Sequence, residues 1–121
     1  MIAAAIERRQ RTRAVALAFC VGMCVMLAVP VEASAKTWTV KIDGMQFKPD
    51  TLTVGRGDTI VWINDDPVAH TATSVAAGAF DSRTIAPGGR WTYRAAAPGR
   101  YPYACTFHPT MRATVVVKDM P

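Results

Sequence analysis

A cysteine, a histidine and a methionine follow one another at regular spacing near the end of the sequence. Two residues separate Cys105 from His108, and two more separate His108 from Met111. The segment offers a thiolate, an imidazole and a thioether. Such soft and intermediate donors suit copper, which cycles between two oxidation states. The spacing therefore predicts a metal-binding loop that performs redox chemistry.

A second imidazole completes this donor set. His70 lies 35 residues before the cysteine, and the chain has only two histidines. Two His and one Cys in a trigonal set, with a weak axial Met, form the blue-copper arrangement that carries single electrons. We therefore predict one copper ion per chain, held by His70, Cys105, His108 and Met111. Taken singly, each residue also has a structural interpretation, since Met fills core gaps and free Cys is usually buried.

Other functions fit this donor set less well. Zinc accepts Cys and His but takes a thioether poorly, so Met111 favours copper. A copper-delivery protein remains the alternative, although donors from two separate segments indicate a closed site. A copper enzyme such as a nitrite reductase needs a second copper centre, which two histidines cannot supply. A purely structural domain would leave the thiol and both histidines unexplained, so we predict that the chain is not an enzyme but a carrier.

The first 35 residues predict a secretory signal peptide. Four arginines between positions 8 and 13 precede an uncharged apolar run at 14–29, and Pro30 and Ala33-Ser34-Ala35 follow. This order matches the charged region, apolar region and small-residue cleavage site of a signal. The 16 apolar residues are fewer than the ~20 that span a bilayer, although an uncleaved anchor is the alternative. We expect cleavage near Ala35, a periplasmic location and no stable membrane insertion afterwards.

The remaining segment, 36–121, is one domain by its length. It keeps a single cysteine, Cys105, so no internal disulfide can form. A bound metal would protect this thiolate and stabilise a small domain. Ten basic and seven acidic residues give a net charge of about +3. Since the basic residues are scattered along the sequence, nucleic-acid binding is not expected, and we predict a monomer.

Strand patterns dominate this domain. Residues 37–42 alternate polar and apolar with the period of two that indicates a strand, with Trp38, Val40 and Ile42 expected to face a core. Pro and Gly residues divide the rest into short runs of roughly 8–12 residues per strand and turn, which favours an all-β sandwich or barrel. The other predicted strands are 51–54, 59–63, 70–74, 78–81, 90–94, 99–105 and 111–118.

The sequence resembles the cupredoxins, the type 1 blue-copper proteins, over 37–118. The matching stretches are 47–64, His70-Thr71 and the loop from Cys105 to Met111, whose length is most similar to that of the amicyanins. Phe107 and Thr71 depart from the amicyanin pattern without removing a ligand. The resemblance implies a Greek-key β-sandwich of about seven to eight strands with copper near one end. It also implies redox partners, such as an amine dehydrogenase as donor and a c-type cytochrome as acceptor.

The same resemblance implies how the site is surrounded. His108 is expected to reach the surface within an apolar patch formed by Pro67, Phe107, Pro109 and Met45. Asn64 and Thr71 are expected to hydrogen-bond across the two ligand segments. The backbone N–H that follows His70 is expected to point at the Cys105 sulfur.

Overall fold

The computed structural model describes residues 22–30 and 34–119, which fall into two units, 1–30 and 31–121. Residues 22–30 are exposed and form no helix or strand. The predicted signal peptide lies largely outside the described residues, so its cleavage stays a prediction. No helix within the described ranges is long and apolar enough to cross a membrane.

Eight strands make up the described part of the second unit. They are β1 (Thr37–Ile42), β2 (Phe47–Lys48), β3 (Thr51–Gly55), β4 (Thr59–Asn64), β5 (Thr73–Ser74), β6 (Arg90–Arg94), β7 (Gly99–Ala104) and β8 (Arg112–Lys118). One sheet has the order β2-β1-β4-β6 and the other β3-β8-β7-β5. β1 is parallel to β4 and β3 to β8, while the remaining pairs are antiparallel. The predicted all-β sandwich is confirmed.

The alternation of the strands explains the core. In β4, Ile60, Trp62 and Asn64 are buried and the residues between them are half-exposed, as expected for a strand with one face inward. Trp62 packs edge-on against Tyr103 of the facing sheet, with ring centroids 5.7 Å apart. The indole N–H donates to the Tyr103 hydroxyl at 3.2 Å, so this buried polar pair is satisfied. The apolar core of the described residues lies entirely between Val40 and Val117.

Most strand predictions are confirmed, but the segment after His70 is not a regular strand. Only Thr73–Ser74 remains of the predicted strand at 70–74, and the predicted strand at 78–81 is absent. Isolated bridges join His70 to Ile85 and Thr73 to Asp81 instead. Here a side chain takes the place of a backbone acceptor between strands, since Ser82 Oγ accepts the Ala72 N–H at 2.7 Å. The short strand Phe47–Lys48 was not predicted, because two residues carry no periodic signal.

The strands run between two distinct ends of the sandwich. β4 and β7 end next to the predicted ligands, whereas β8 starts there and runs away from them. At the opposite end, Asp58 closes the turn between β3 and β4 by accepting the backbone N–H of Lys36 at 2.8 Å and of Gly55 at 2.9 Å. The Trp38 indole donates to the same carboxylate at 2.9 Å. This network anchors the start of β1 far from the ligand end.

Candidate metal centre

Three of the four predicted ligands meet at one end of the sandwich. The metal-ligating atoms of His70, Cys105 and His108 all lie within 4.8 Å of one another. His70 is placed by its backbone bridge to Ile85, and Cys105 follows directly after β7. The side chains of His70 and Cys105 are fully buried, whereas His108 is partly exposed. Residues far apart in the sequence thus converge on one small volume.

The distances in this group fit a single shared metal ion. The Nδ1 atoms of His70 and His108 each lie 3.7 Å from Cys105 Sγ. A metal ion with bonds of about 2.3 Å to sulfur and about 2.0 Å to nitrogen would span this separation. Such an ion would use the donors of a His₂Cys set. The donor chemistry and the spacing both suit copper, so the residues fit the predicted cofactor.

Met111 lies at the end of a closed backbone loop that also carries Cys105 and His108. The Cys105 N–H donates to the Met111 carbonyl at 3.1 Å, and the Met111 N–H donates to the His108 carbonyl at 2.9 Å. The Met111 side chain is 4% exposed and belongs to the core cluster. Met111 would be the fourth residue to hold the ion, and its role as a ligand stays a prediction.

Thr71 connects the two ligand segments, as predicted. Its backbone N–H points at Cys105 Sγ with a distance of 3.3 Å, and its hydroxyl accepts the backbone N–H of Thr106 at 2.9 Å. An N–H aimed at the thiolate stabilises negative charge on the sulfur. Asn64 plays a different part from the one expected, because its amide donates to the carbonyls of Val68 and Ile85. Asn64 therefore braces only the His70 side of the site.

Asp66 is a further residue of the site, and it is not among the residues predicted above. Its Oδ2 lies 2.7 Å from His70 Nε2, and it accepts the backbone N–H of Met45 at 3.0 Å. Its Oδ1 accepts the backbone N–H of Gly44 at 2.7 Å. Because His70 Nδ1 faces the cysteine, its Nε2–H is the donor to this carboxylate. Metal-ligating histidines commonly donate their second ring N–H to a carboxylate in this way, so an acid four residues before the histidine was the available signal.

The surroundings of Asp66 keep it negatively charged. Burial pushes the pKa of Asp66 upward, but the Met45 N–H, the His70 ring and the Gly44 N–H outweigh it and hold the pKa below its usual value. Met45 adopts a positive φ of 60°, an uncommon conformation for a residue with a side chain. The carboxylate thus fixes the turn before β2 as well as the outer nitrogen of His70.

Exposed apolar side chains gather at the ligand end. Met45, Val68 and Phe107 are 41%, 44% and 52% exposed, and Pro67 and Pro109 are exposed as well. Phe107 and Pro109 directly flank His108, and Val68 stands two residues before His70. Phe107 and Pro109 therefore adjoin His108 as expected, whereas Met45 and Pro67 lie beside Asp66 on the His70 side of the site. Val68 adds a member that the sequence analysis missed, although it lies between two predicted site residues.

Comparison with known proteins places this site in a family. The family model for the cupredoxin-like domain matches residues 14–117. Amicyanin-alpha of Methylorubrum extorquens is 30% identical, with 72% of this chain and 76% of that protein covered. Amicyanin of Paracoccus versutus is 28% identical over 74% and 73% of the two chains. The chain therefore belongs to the cupredoxins, and it resembles the amicyanins among them.

Solved structures agree with this assignment. A reduced Cu(I) form of an amicyanin variant superposes with a TM-score of 0.64 at 30% identity, covering 72% of this chain and 87% of that one. A purple cupredoxin from Nitrosopumilus maritimus gives a TM-score of 0.62 at 26% identity, covering 67% and 99%. A copper nitrite reductase from Thermus scotoductus matches at 24% identity over only 24% of its length, and this likeness shows the fold alone.

Proposed function

We propose that this chain is an exported electron carrier that shuttles one electron between redox partners in the periplasm. Its single copper ion would be held by His70, Cys105, His108 and Met111. The observation that carries the proposal is the group of two imidazole nitrogens and one thiol sulfur at one end of a cupredoxin sandwich. Copper bound there supplies one-electron redox chemistry.

The residues of the site would make this exchange fast by moving little. Cys105 and Thr71 are tied together by the N–H to sulfur contact, and the loop from Cys105 to Met111 is closed by backbone hydrogen bonds. Asp66 holds the ring of His70 from behind. Ligands held on both sides keep their positions when the charge of the site changes. Burial of His70 and Cys105 also excludes water from the donors.

His108 offers the route by which electrons would enter and leave. It is the one member of the His–Cys–His group that is partly exposed, and it lies between Phe107 and Pro109. Short-lived redox complexes use small interfaces of low affinity. The exposed apolar residues around His108 suit such an encounter, because they exclude water without locking the partner in place. An amine dehydrogenase as donor and a c-type cytochrome as acceptor are the proposed partners.

Visible absorption of the Cu(II)-loaded protein tests the site directly. We expect an intense blue band at one copper per chain that reductant bleaches reversibly. Cys105→Ser should abolish the band, since the thiolate is its source. Thr110→Ser is the matched control, because Thr110 is an exposed residue of the same loop. Weakly coloured binding by the unaltered protein would contradict the blue-copper proposal.

Copper retention separates a carrier of electrons from a carrier of copper. A closed site with two buried donors should release Cu(I) to a chelator far more slowly than it exchanges an electron with a small redox reagent. A delivery protein should show the reverse order. The comparison uses the same loaded protein in both assays, so differences in folding cannot affect the result.

Export is tested by expressing the full chain in a bacterium and fractionating the cells. We expect the protein in the periplasmic fraction with a mass that corresponds to a chain starting at Lys36. A chain of full mass in the membrane fraction would support a retained anchor instead. Either result leaves the copper chemistry to be judged by the absorption experiment.

A further inference from the structure

The folded domain collects its excess positive charge at the end opposite the metal centre. Five exposed basic residues lie there: Lys36, Arg56, Arg94, Arg100 and Lys118. We call this group the basal face. Only the tertiary structure assembles it, because its members are spread over more than 80 residues of sequence.

Strand pairing shows that these residues are neighbours. Lys118 pairs with Gly55, directly before Arg56, and the Arg56 N–H donates to the Lys118 carbonyl at 2.7 Å. Arg94 pairs with Thr59, whose N–H donates to the Lys36 carbonyl at 2.8 Å. Arg100 pairs with Val116, two residues before Lys118 on the same outer face of its sheet. The seven residues of β8 separate this face from the metal centre by about 20 Å.

The positions of the acidic residues increase the difference in charge between the two ends of the domain. Of the seven aspartates between positions 36 and 119, only Asp58 and Asp119 lie at the basal end. Asp58 is buried and accepts three hydrogen bonds, and Asp119 pairs with Arg56 at 2.8 Å. The other five basic and five acidic residues of this segment lie toward the ligand end and balance each other. The whole net charge of about +3 therefore belongs to the basal end.

The basal face also contains a cleft lined by two arginines, one of which, Arg56, also pairs with Asp119. Arg56, Gly57, Arg94 and Ala96 line a cleft of about 390 Å³. A Cβ at Gly57 would contact the Arg94 guanidinium at 3.8 Å, so Gly57 lies directly beside that group. Guanidinium groups bind phosphate oxygens through paired N–H donors. The cleft thus suits the phosphate of a lipid headgroup, and the surrounding lysines and Arg100 add attraction to an anionic surface.

We propose that the basal face docks the domain on an anionic phospholipid surface, with the metal centre turned away from the lipid. The point at which the chain enters the domain supports a membrane rather than a protein partner, because only six residues separate Lys36 from the apolar run 14–29. A domain delivered at a membrane would meet lipid headgroups first with this face. Docking in this orientation leaves His108 and its apolar surroundings free for redox partners.

Vesicle binding of the protein recovered after export tests the proposal, and it needs no copper. The probe is phosphatidylcholine vesicles with and without phosphatidylglycerol, and the measured quantity is the binding that requires phosphatidylglycerol. We expect this component at about 0.01 M salt, where charges act over about 30 Å, and its loss at about 1 M salt, where the range falls to about 3 Å. Equal binding to both vesicles would overturn the proposal.

A matched pair of variants locates the contact. The double variant Arg56→Gln/Arg94→Gln should bind about 25-fold more weakly, since each basic residue near an anionic surface contributes about fivefold. Arg83→Gln/Arg90→Gln removes the same charge from exposed positions toward the ligand end and should change binding less than threefold. Equal losses in both pairs would mean that only net charge matters, and the docking face would be refuted.

Two further outcomes would also refute it. Phe107→Ser should leave vesicle binding unchanged, and a loss there would mean that the ligand end faces the lipid. Binding of polyglutamate by the basal face without binding to the anionic vesicles would assign this face to an acidic protein instead. Because every arm works without copper, failure here and failure of the proposed electron-carrier function are distinguishable.

Discussion

Replacing Asp66 by Asn tests whether the buried carboxylate controls the metal centre. The variant keeps the size of the side chain but removes its charge and replaces one acceptor oxygen by a donor NH₂. Gly44 N–H, Met45 N–H and His70 Nε2 all face the two oxygens of Asp66. In either amide orientation, at least one of these donors meets another donor.

The size of the effect follows from this geometry. A buried donor left without its acceptor costs about 1–3 kcal/mol, and for a domain of this size 1 kcal/mol lowers Tm by about 4–8 °C. We therefore expect the metal-free variant to melt about 4–24 °C lower, and about 8–16 °C lower for a loss of about 2 kcal/mol. Loss of such an outer partner weakens metal binding about 10–100-fold. If Cu(II) loses one decade more affinity than Cu(I), the reduction potential rises by about 59 mV.

Three measurements check the prediction. Redox titration gives the potential, thermal unfolding of the metal-free protein gives Tm, and ¹⁵N NMR reports the tautomer of His70. We expect His70 to lose its fixed Nε2–H tautomer in the variant. Asp65→Asn is the matched control, because Asp65 is the adjacent acid, its side chain is 42% exposed and its partner is the surface Lys41.

Three outcomes would contradict this role of Asp66. A potential within about 10 mV of the unaltered protein, at full copper occupancy, would show that Asp66 exerts no electrostatic control. Equal shifts in Asp65→Asn and Asp66→Asn would show an effect of net charge rather than of the hydrogen bond to His70. A lower Tm with an unchanged potential would reduce Asp66 to a structural residue of the Met45 turn.

Three more predictions concern the supports of the site and fold. Thr71→Val removes the acceptor of the Thr106 N–H and should cost about 1–2 kcal/mol of unfolding free energy; chemical denaturation of both forms measures it, and an unchanged value contradicts the link between the ligand segments. The N–H of Lys36, the Trp38 indole and the N–H of Gly55 hold the pKa of Asp58 below its usual value. The pKa of Asp58 is lower in the folded than in the unfolded state, so its stabilisation is complete above the unfolded value of ~3.9 and is lost as pH falls through the folded value. Asp58→Asn should therefore reduce the dependence of the unfolding free energy on pH in the acid range. An unchanged dependence would contradict this. Tyr103→Phe leaves the buried Trp62 indole N–H without its acceptor and should cost about 1–2 kcal/mol of unfolding free energy. Chemical denaturation measures this cost, with Tyr101→Phe at a more exposed position as the control. Equal costs in the two variants would argue against a stabilising Trp62–Tyr103 hydrogen bond.

The regular strands were predictable because the alternation of polar and apolar residues and the positions of turn residues are local features of the sequence. β1 and β6 have the predicted bounds, and β3, β4, β7 and β8 differ by a single residue at one end. The strand prediction for the segment after His70 was wrong, because side chains such as that of Ser82 bond to its backbone. Such hydrogen bonds compete with those of a regular β-ladder. A pattern of residue types does not show which of these competing bonds forms.

The metal centre also has parts that the sequence predicts and parts that it does not. Its donors were predictable, since Cys105, His108 and Met111 lie in one short loop and His70 is the single remaining histidine. The part of Asn64 was not, because only the tertiary structure shows that its amide donates to the carbonyls of Val68 and Ile85 while its oxygen accepts the Asp66 N–H. Asp66 was missed because a carboxylate before a proline looks like an ordinary loop residue until its distance to His70 is known.

The sequence alone determined the class of protein, because donor types, their spacing and strand periodicity are properties of the chain itself. It also determined a net charge of about +3 for the domain. Only the tertiary structure decided where that charge lies, which nitrogen of His70 faces the thiol, and which carboxylate holds the ring. These are relations between residues far apart in the chain, such as Arg56 and Lys118, and the packing of two sheets fixes them through distances that no local pattern records.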